Sequence, residues 1–190
     1  MEIDQSEYLA QYEEKLLLEL LRQASDEGIL EGQLLAVEEL EERWHTSAPE
    51  YMAAAVPQIA QYPSVAIAWA GYVGIGATVL WDTDWDSYAE VEDIYSLLAA
   101  PRGFDELDEY VVEGLLGYKL ESAEAERVEN IMRNAANLAQ TMIRKEAVEP
   151  QSVMAFHIFA RTAKSLYRLG IAIGLRLLGY RYEKMQIGEN

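Results

Sequence analysis

The sequence predicts an all-α protein, a single-domain bundle of about six to eight helices over residues 1–190. Two patterns predict this class: apolar residues recur three or four positions apart along most of the chain, and no stretch shows the period-two alternation of a strand. A third observation is composition, since 51% of the 190 residues are hydrophobic, enough for a sizeable core. The uncharged stretch from Tyr51 to Trp81 is expected at the centre of that core.

The first helix is predicted over residues 4–24. Asp4 is placed to cap it, and Glu7 follows three positions later, as in a capping box. Large apolar residues at helical spacing form its buried face: Leu9, Tyr12, Leu16 and Leu20. The helix is expected to end before Gly28.

Two further helices are predicted before the central one. The first has apolar residues on one side, at Leu30, Leu34, Val37, Leu40 and Trp44. The next is short, over about 48–61, because Ser47 and Glu50 repeat the capping-box spacing.

The central helix is predicted over residues 64–81, and the last helix, over about 151–183, is its expected partner. Small residues share one face of the central helix at Ala66, Ala70, Gly74 and Thr78. The last helix carries Gly170 and Gly174. Because small residues let two backbones approach closely, we expect Ala70 and Gly74 to meet Gly170 and Gly174. These two buried helices form the predicted core.

Three shorter predictions fill the interval between them. Residues 87–100 are expected to form one helix that stops at Pro101, and residues 105–117 another that stops at Gly117. Ser122 is placed to begin a long amphipathic helix. Its buried face is marked by apolar residues at helical spacing: Val128, Ile131, Ala135, Leu138 and Met142.

The charge of the chain excludes some classes of partner. The formal net charge is −18, and residues 1–100 alone hold three basic and twenty acidic residues. Such a surface repels phosphate groups, so we expect no nucleic-acid binding and no binding to anionic membranes. Acidic flanks and three glycines also argue against a membrane span at 64–81. With no cysteine and no basic leader, a cytoplasmic protein is expected.

Three acidic residues after the central helix are candidate metal ligands. Asp82, Asp84 and Asp86 occupy positions 1, 3 and 5 of a calcium-binding loop. The glycine and the closing glutamate of that loop are absent, since Ser87 and Asp93 stand in their places. Helix capping is therefore the favoured interpretation, with calcium binding as the alternative.

Aromatic residues near the same end of the central helix are candidates for lining a ligand pocket. They are Trp69, Tyr72, Trp81, Trp85 and Tyr88. Aromatic residues at helical spacing more often belong to a core, so packing in the core is the alternative to a ligand pocket.

Three basic residues share one side of the last helix, Arg161, Lys164 and Arg168. In so acidic a chain this side is expected to face carboxylates of this chain or of another subunit. The alternatives are a site for an anion or an acidic peptide, and simple solvation.

No motif in the sequence identifies a reaction, and no cofactor is predicted. The expected function is that of a non-enzymatic interaction or oligomerisation protein whose partner is itself or another protein. The alternative is a helical-bundle enzyme or small-molecule binder with a site between Trp69 and Asp86. An occupied pocket favours the alternative, whereas a large apolar self-contact favours the first.

Overall fold

The computed structural model describes residues 4–32, 34 and 37–180, and in these ranges all regular secondary structure is helical, which confirms the predicted all-α bundle. The α-helices are α1 (Gln5–Asp26), α2 (Glu38–Glu42), α3 (Trp44–Ala55), α4 (Pro63–Thr83), α5 (Trp85–Tyr88), α6 (Ile94–Ala99), α7 (Leu107–Glu109), α8 (Ala123–Lys145) and α9 (Val153–Leu177). A 3₁₀-helix, Val56–Gln58, follows α3, and a π-helix, Tyr110–Leu115, continues α7.

The four long helices, α1, α4, α8 and α9, form the bundle. Contacts between α4 and α9 advance together along both helices, so these two are parallel. The Tyr12 and Thr162 hydroxyls, 2.7 Å apart, join α1 to α9. Helix α8 runs the opposite way, because its Gln140 reaches Ser64 near the start of α4 while Met132 lies against Gly71. Long connecting segments, called the first and second crossovers, precede and follow α4, and the second spans residues 84–122.

The contact between α4 and α9 is the most extensive in the protein and depends on glycine. A Cβ atom on Gly74 would overlap the carbonyl oxygen of Tyr167 and stand 2.8 Å from the Ile171 nitrogen. One on Gly170 would overlap the carbonyl oxygen of Gly71. The predicted close approach of Gly74 to Gly170 is therefore present, and Gly71 also contributes to it. Ala70 is completely buried.

The two crossovers cover α4 and contact each other. In the first, the Leu40 carbonyl accepts a hydrogen bond from Tyr167, and Trp44 stacks on the same tyrosine with ring centroids 4.9 Å apart. The buried Ser47 hydroxyl accepts a hydrogen bond from the Tyr95 backbone nitrogen of the second crossover at 3.2 Å. Both crossovers are thereby fixed to the bundle.

The region between Leu30 and Gln58 differs from its prediction. The part of the predicted second helix that is described is helical only from Glu38, and residues 33, 35 and 36 lie outside the described residues. Helix α3 then begins at Trp44, so Ser47 lies inside it and does not cap it. The apolar pattern nevertheless identified buried positions, since Leu30 and Leu40 are both buried.

Two later boundaries also differ. The helix predicted over 87–100 is two pieces, because Asp84 caps α5 and Asp93 caps α6. The last helix ends at Leu177 rather than near 183, and Gly179 follows with a φ of 91°, a left-handed conformation typical of a helix C-terminus. Residues 181–183 lie outside the described residues. The caps at Asp4 and Ser122 are confirmed.

Helix α4 is long and apolar enough to cross a membrane by length and composition alone. Of the most apolar 18-residue stretch of this helix, 78% is buried inside the protein. Its apolar residues are thus covered mainly by other helices of the same chain.

Candidate functional site

A cleft of about 640 Å³ lies between the segment 107–121 and the first half of α8, with Tyr72 of α4 at its base. Its charged lining residues are Asp108, Glu109, Glu121, Glu126, Glu129 and Arg133. Val112, Leu120 and Ala125 supply apolar surface, and Asn130 supplies an amide. The volume is within the usual range for small-molecule sites, roughly 300–1,000 Å³.

Tyr72 is the most deeply buried polar side chain of the cleft. It is 2% exposed, and its ring meets Trp69 edge-on with centroids 5.4 Å apart. Trp69 is held in place because its indole nitrogen donates a hydrogen bond to the Phe104 carbonyl at 2.7 Å. No hydrogen bond joins the Tyr72 hydroxyl to the described part of the chain.

The Tyr72 hydroxyl faces the cleft. Burial raises its pKa above the ordinary value, and the negative charges of Asp108 and Glu129 raise it further while Arg133 lowers it. All three charged residues line the cleft. At neutral pH the group is therefore a neutral hydroxyl, able both to donate and to accept a hydrogen bond.

Asp108 brings a carboxyl group with perturbed acidity to the same space. Burial raises its pKa from 3.8 to about 6, and the neighbouring carboxylates of Glu109 and Glu129 also raise it. Perturbed acidity of this kind is common in functional sites, because a partly desolvated carboxylate among like charges is unfavourable until a cation joins it.

The π-helix that follows Asp108 shapes the opposite wall. In this π-helix two consecutive valines are buried against other elements. Val111 is completely buried beside Gly76 of α4, and Val112 lines the cleft. The Val111 carbonyl accepts a hydrogen bond from the Leu116 nitrogen at 2.9 Å, five residues on. Short π segments often occur at functional sites.

The cleft is strongly negative. Five of its lining side chains carry carboxyl groups and one carries a guanidinium, that of Arg133. Arg133 already forms an ion pair with Glu129 of its own helix and a hydrogen bond with Asn130 at 3.2 Å. In the part of the chain that the structure describes, no three or more His, Asp and Glu side chains are arranged to hold a metal ion.

The predicted aromatic residues are divided between two places. Tyr72 lines the cleft and Trp69 packs against it without lining the cleft. Trp81 lies nine residues beyond Tyr72, roughly 14 Å further along the helix. Trp81 packs against Trp85 with ring centroids 4.2 Å apart, and its indole nitrogen is buried without a hydrogen-bond partner in the described residues. Tyr88 is partly buried against the core. Neither Trp81 nor Trp85 nor Tyr88 lines the cleft.

The three candidate metal ligands have different roles. Asp84 accepts hydrogen bonds from the backbone nitrogen and hydroxyl of Ser87, at 3.2 and 2.6 Å, and so caps α5. Asp82 accepts a hydrogen bond from the Tyr180 hydroxyl at 2.5 Å. Asp86 is exposed in the first turn of α5. Of the three, Asp84 alone is a helix cap.

The basic side of α9 faces acids of the same chain, as the ion-pair interpretation predicts. Arg161 and Lys164 contact Glu13 of α1 at 2.5 and 3.0 Å, and Arg168 contacts Glu41 at 3.0 Å. Burial opposes ionisation of Glu13, but hydrogen bonds from its two partners outweigh burial and hold its pKa below the ordinary value.

Comparison of the chain with protein-family models, curated proteins and solved structures gives no match. Asp108, Glu126, Glu129 and Arg133 were not predicted from the sequence as site residues. A signal was present for the last three, because Glu126, Glu129 and Arg133 share the polar side of one amphipathic helix. No sequence signal marks Asp108 as different from its acidic neighbours.

Proposed function

We propose that this protein is a non-enzymatic binding protein that takes a small organic molecule into the cleft above Tyr72. The observation that carries the proposal is Tyr72, whose side chain is 2% exposed and whose hydroxyl faces the cleft without a hydrogen bond to the described chain. Because the hydroxyl oxygen is accessible from the cleft, water or a ligand can hydrogen-bond to it. A hydrogen bond made in such a partly dry position is stronger than one in bulk water, which favours a binding role.

The chemistry of the lining favours binding over catalysis. It consists of carboxylates, one amide, one guanidinium, one phenol and three aliphatic side chains. Among these, no hydroxyl or thiol nucleophile is paired with a histidine or lysine base, the arrangement on which nucleophilic catalysis depends.

The test is a thermal-shift screen with a library of acidic, basic and neutral small molecules on the wild type and on Tyr72→Phe. This substitution keeps the buried ring and removes only the hydroxyl. We expect the folded variant to melt close to the wild type without ligand and to lose at least about tenfold in affinity for a hit, since ~1.4 kcal/mol equals a factor of ten.

Tyr95→Phe is the matched control. Tyr95 is also a buried tyrosine, with its ring edge-on to Tyr51, but it does not line the cleft. Its affinity for the hit should equal that of the wild type. Ligands that bind equally well to both variants, or a library without any hit, would contradict the proposal.

Self-association is a second candidate function, favoured by exposed apolar residues in the first turn of α9. Val153 is 72% exposed and Phe156 is 48% exposed, and residues three apart share a helix face. The partner proposed is a second copy of this chain, because residues 101–190 carry almost balanced charge, twelve basic against thirteen acidic residues. Contact there avoids the acidic half.

Sedimentation equilibrium tests this candidate. Phe156→Ser should shift the chain towards monomer, whereas Leu18→Ser, which changes a similarly exposed apolar residue of α1, should not. A wild-type chain that is monomeric at all concentrations would exclude self-association.

A cytoplasmic location is also proposed, and native protein that fractionates only with membranes would contradict it.

A further inference from the structure

We infer that the ligand of the cleft is an organic cation, a short aliphatic molecule with at least two ammonium groups. This inference rests on the proposed function and adds the chemical class of the ligand. Its support is the charge of the lining, the Tyr72 hydroxyl that faces the cleft, and the apolar wall.

The charge of the lining selects for cations. The five carboxyl groups come from two sides, Asp108, Glu109 and Glu121 from the crossover segment and the remaining two from α8. Arg133 offsets one of them by pairing with Glu129. An anion would meet net negative charge on both walls, whereas two ammonium groups separated by a chain would find carboxylates on each.

Apolar surface in the cleft favours an organic cation over a metal ion. Val112, Leu120 and Ala125 line the same cleft as the acidic groups and match methylene groups rather than a hydration shell. The side chains of the described residues also lack a cluster with the spacing of metal ligands. The cleft, at about 640 Å³, has room for a chain of several methylene groups.

The two groups at the base give the cation a specific place. The Tyr72 hydroxyl accepts a hydrogen bond from an ammonium group and keeps its own proton for Asp108 or Glu129. The same positive charge stabilises ionised Asp108, whose carboxylate is otherwise surrounded by acids. Binding should therefore weaken as the pH falls below about 6, where protonation of Asp108 removes its charge.

Calorimetry with three probes of equal length tests the inference on the full chain. The probes are 1,8-diaminooctane, 1,8-octanediol and octanedioate, which differ in charge and each contain a linear chain of eight carbon atoms. We expect the diamine to bind and the other two to bind at least about tenfold more weakly. Circular dichroism confirms that each variant used is folded.

Variants separate a specific site from general attraction to an acidic protein. Glu129→Gln and Tyr72→Phe should each weaken diamine binding by about tenfold or more, whereas Glu124→Gln should change it less than about twofold. Glu124 is an exposed acid of the same helix that does not line the cleft. If all three variants weakened diamine binding equally, or if none of them weakened it, the inference would be overturned.

The remaining outcomes distinguish this inference from the proposed function. If the diol or the dianion bound to the wild type and not to Tyr72→Phe, the inference that the ligand is a cation would be overturned. The proposed binding site at Tyr72 would then still be supported. Diamine binding that disappears at high salt in wild type and variants alike would mean counterion attraction only. That result would overturn the inference, and the library screen would then decide the proposed function.

Discussion

Replacing Gly170 with alanine tests the contact on which the bundle depends. The new Cβ would overlap the carbonyl oxygen of Gly71 and lie 2.8 Å from its carbonyl carbon and 3.0 Å from its Cα. Favourable contacts between carbon atoms occur at about 3.5–4.0 Å. All three atoms belong to the backbone of α4, so no side-chain rotation can relieve the overlap. The backbones of α4 and α9 must therefore move apart at this point.

The magnitude follows from two opposing effects. Overpacking of a tight core costs ~1–3 kcal/mol, occasionally more, and the backbone overlap places Gly170→Ala at the upper end. Replacing glycine inside a helix recovers ~1 kcal/mol of helix propensity. We expect a net loss of about 2 kcal/mol or more in the free energy of unfolding, measured by urea denaturation with a constant m-value.

Gly76→Ala is the matched control, because it lies in α4 and gains the same propensity. Its added Cβ would meet side-chain atoms, Leu98 Cδ2 at 2.8 Å and Val111 Cγ2 at 3.2 Å, which can move. It should be clearly less destabilising than Gly170→Ala. If Gly170→Ala raised the urea midpoint, or if both variants lost the same stability, the backbone contact would not be the determinant argued here.

Three other predictions concern charged groups. The Asp108 pKa of about 6 in the folded protein exceeds its ordinary 3.8, so the stability that its proton provides is complete below about pH 3.8 and is lost as the pH rises to about 6. Asp108→Asn should therefore stabilise the protein at neutral pH and should have no effect below pH ~4. The pKa change is equivalent to ~3 kcal/mol, which solvent screening reduces to about 1–2 kcal/mol. Equal stabilisation by the replacement of the exposed Asp105 with Asn would contradict this prediction. Glu13→Gln leaves its two basic partners on α9 without an acid and should cost ~1–3 kcal/mol by urea denaturation, against no change for exposed Glu14→Gln. Millimolar calcium should leave the melting temperature unchanged, and a calcium-specific rise lost in Asp84→Ala would show a metal site instead of a cap.

The long helices could be predicted because each carries its own signal. Helices α1, α8 and α9 have apolar stripes and polar caps, at Asp4, Ser122 and Ser152. Helix α4 is apolar on all sides, which is typical of a buried helix. Even the pairing of α4 with α9 followed from glycine positions, because only a close backbone contact makes several glycines in long helices favourable.

The short elements and the cleft could not be predicted in this way. Ser47 has the residue type and spacing of a cap, yet its hydroxyl accepts a hydrogen bond from Tyr95, forty-eight residues away in sequence. The π-helix depends on packing of Val111 and Val112 against other elements and has no local pattern. Asp108 is one acid in an acidic run, and its burial and the nearness of Glu129 arise from tertiary packing that no local pattern records.

Two groups that one cation can satisfy face the same space, and this coincidence is the strongest argument for a ligand. The partly buried carboxyl of Asp108 beside other carboxylates costs stability in the ligand-free protein. The Tyr72 hydroxyl faces the same cleft and has no hydrogen bond to the described chain. A single ammonium group placed between Tyr72 and Asp108 satisfies both, since it donates to the hydroxyl oxygen and balances the carboxylate. The stabilisation by a bound diamine should accordingly be largest near neutral pH and should shrink when either residue is replaced.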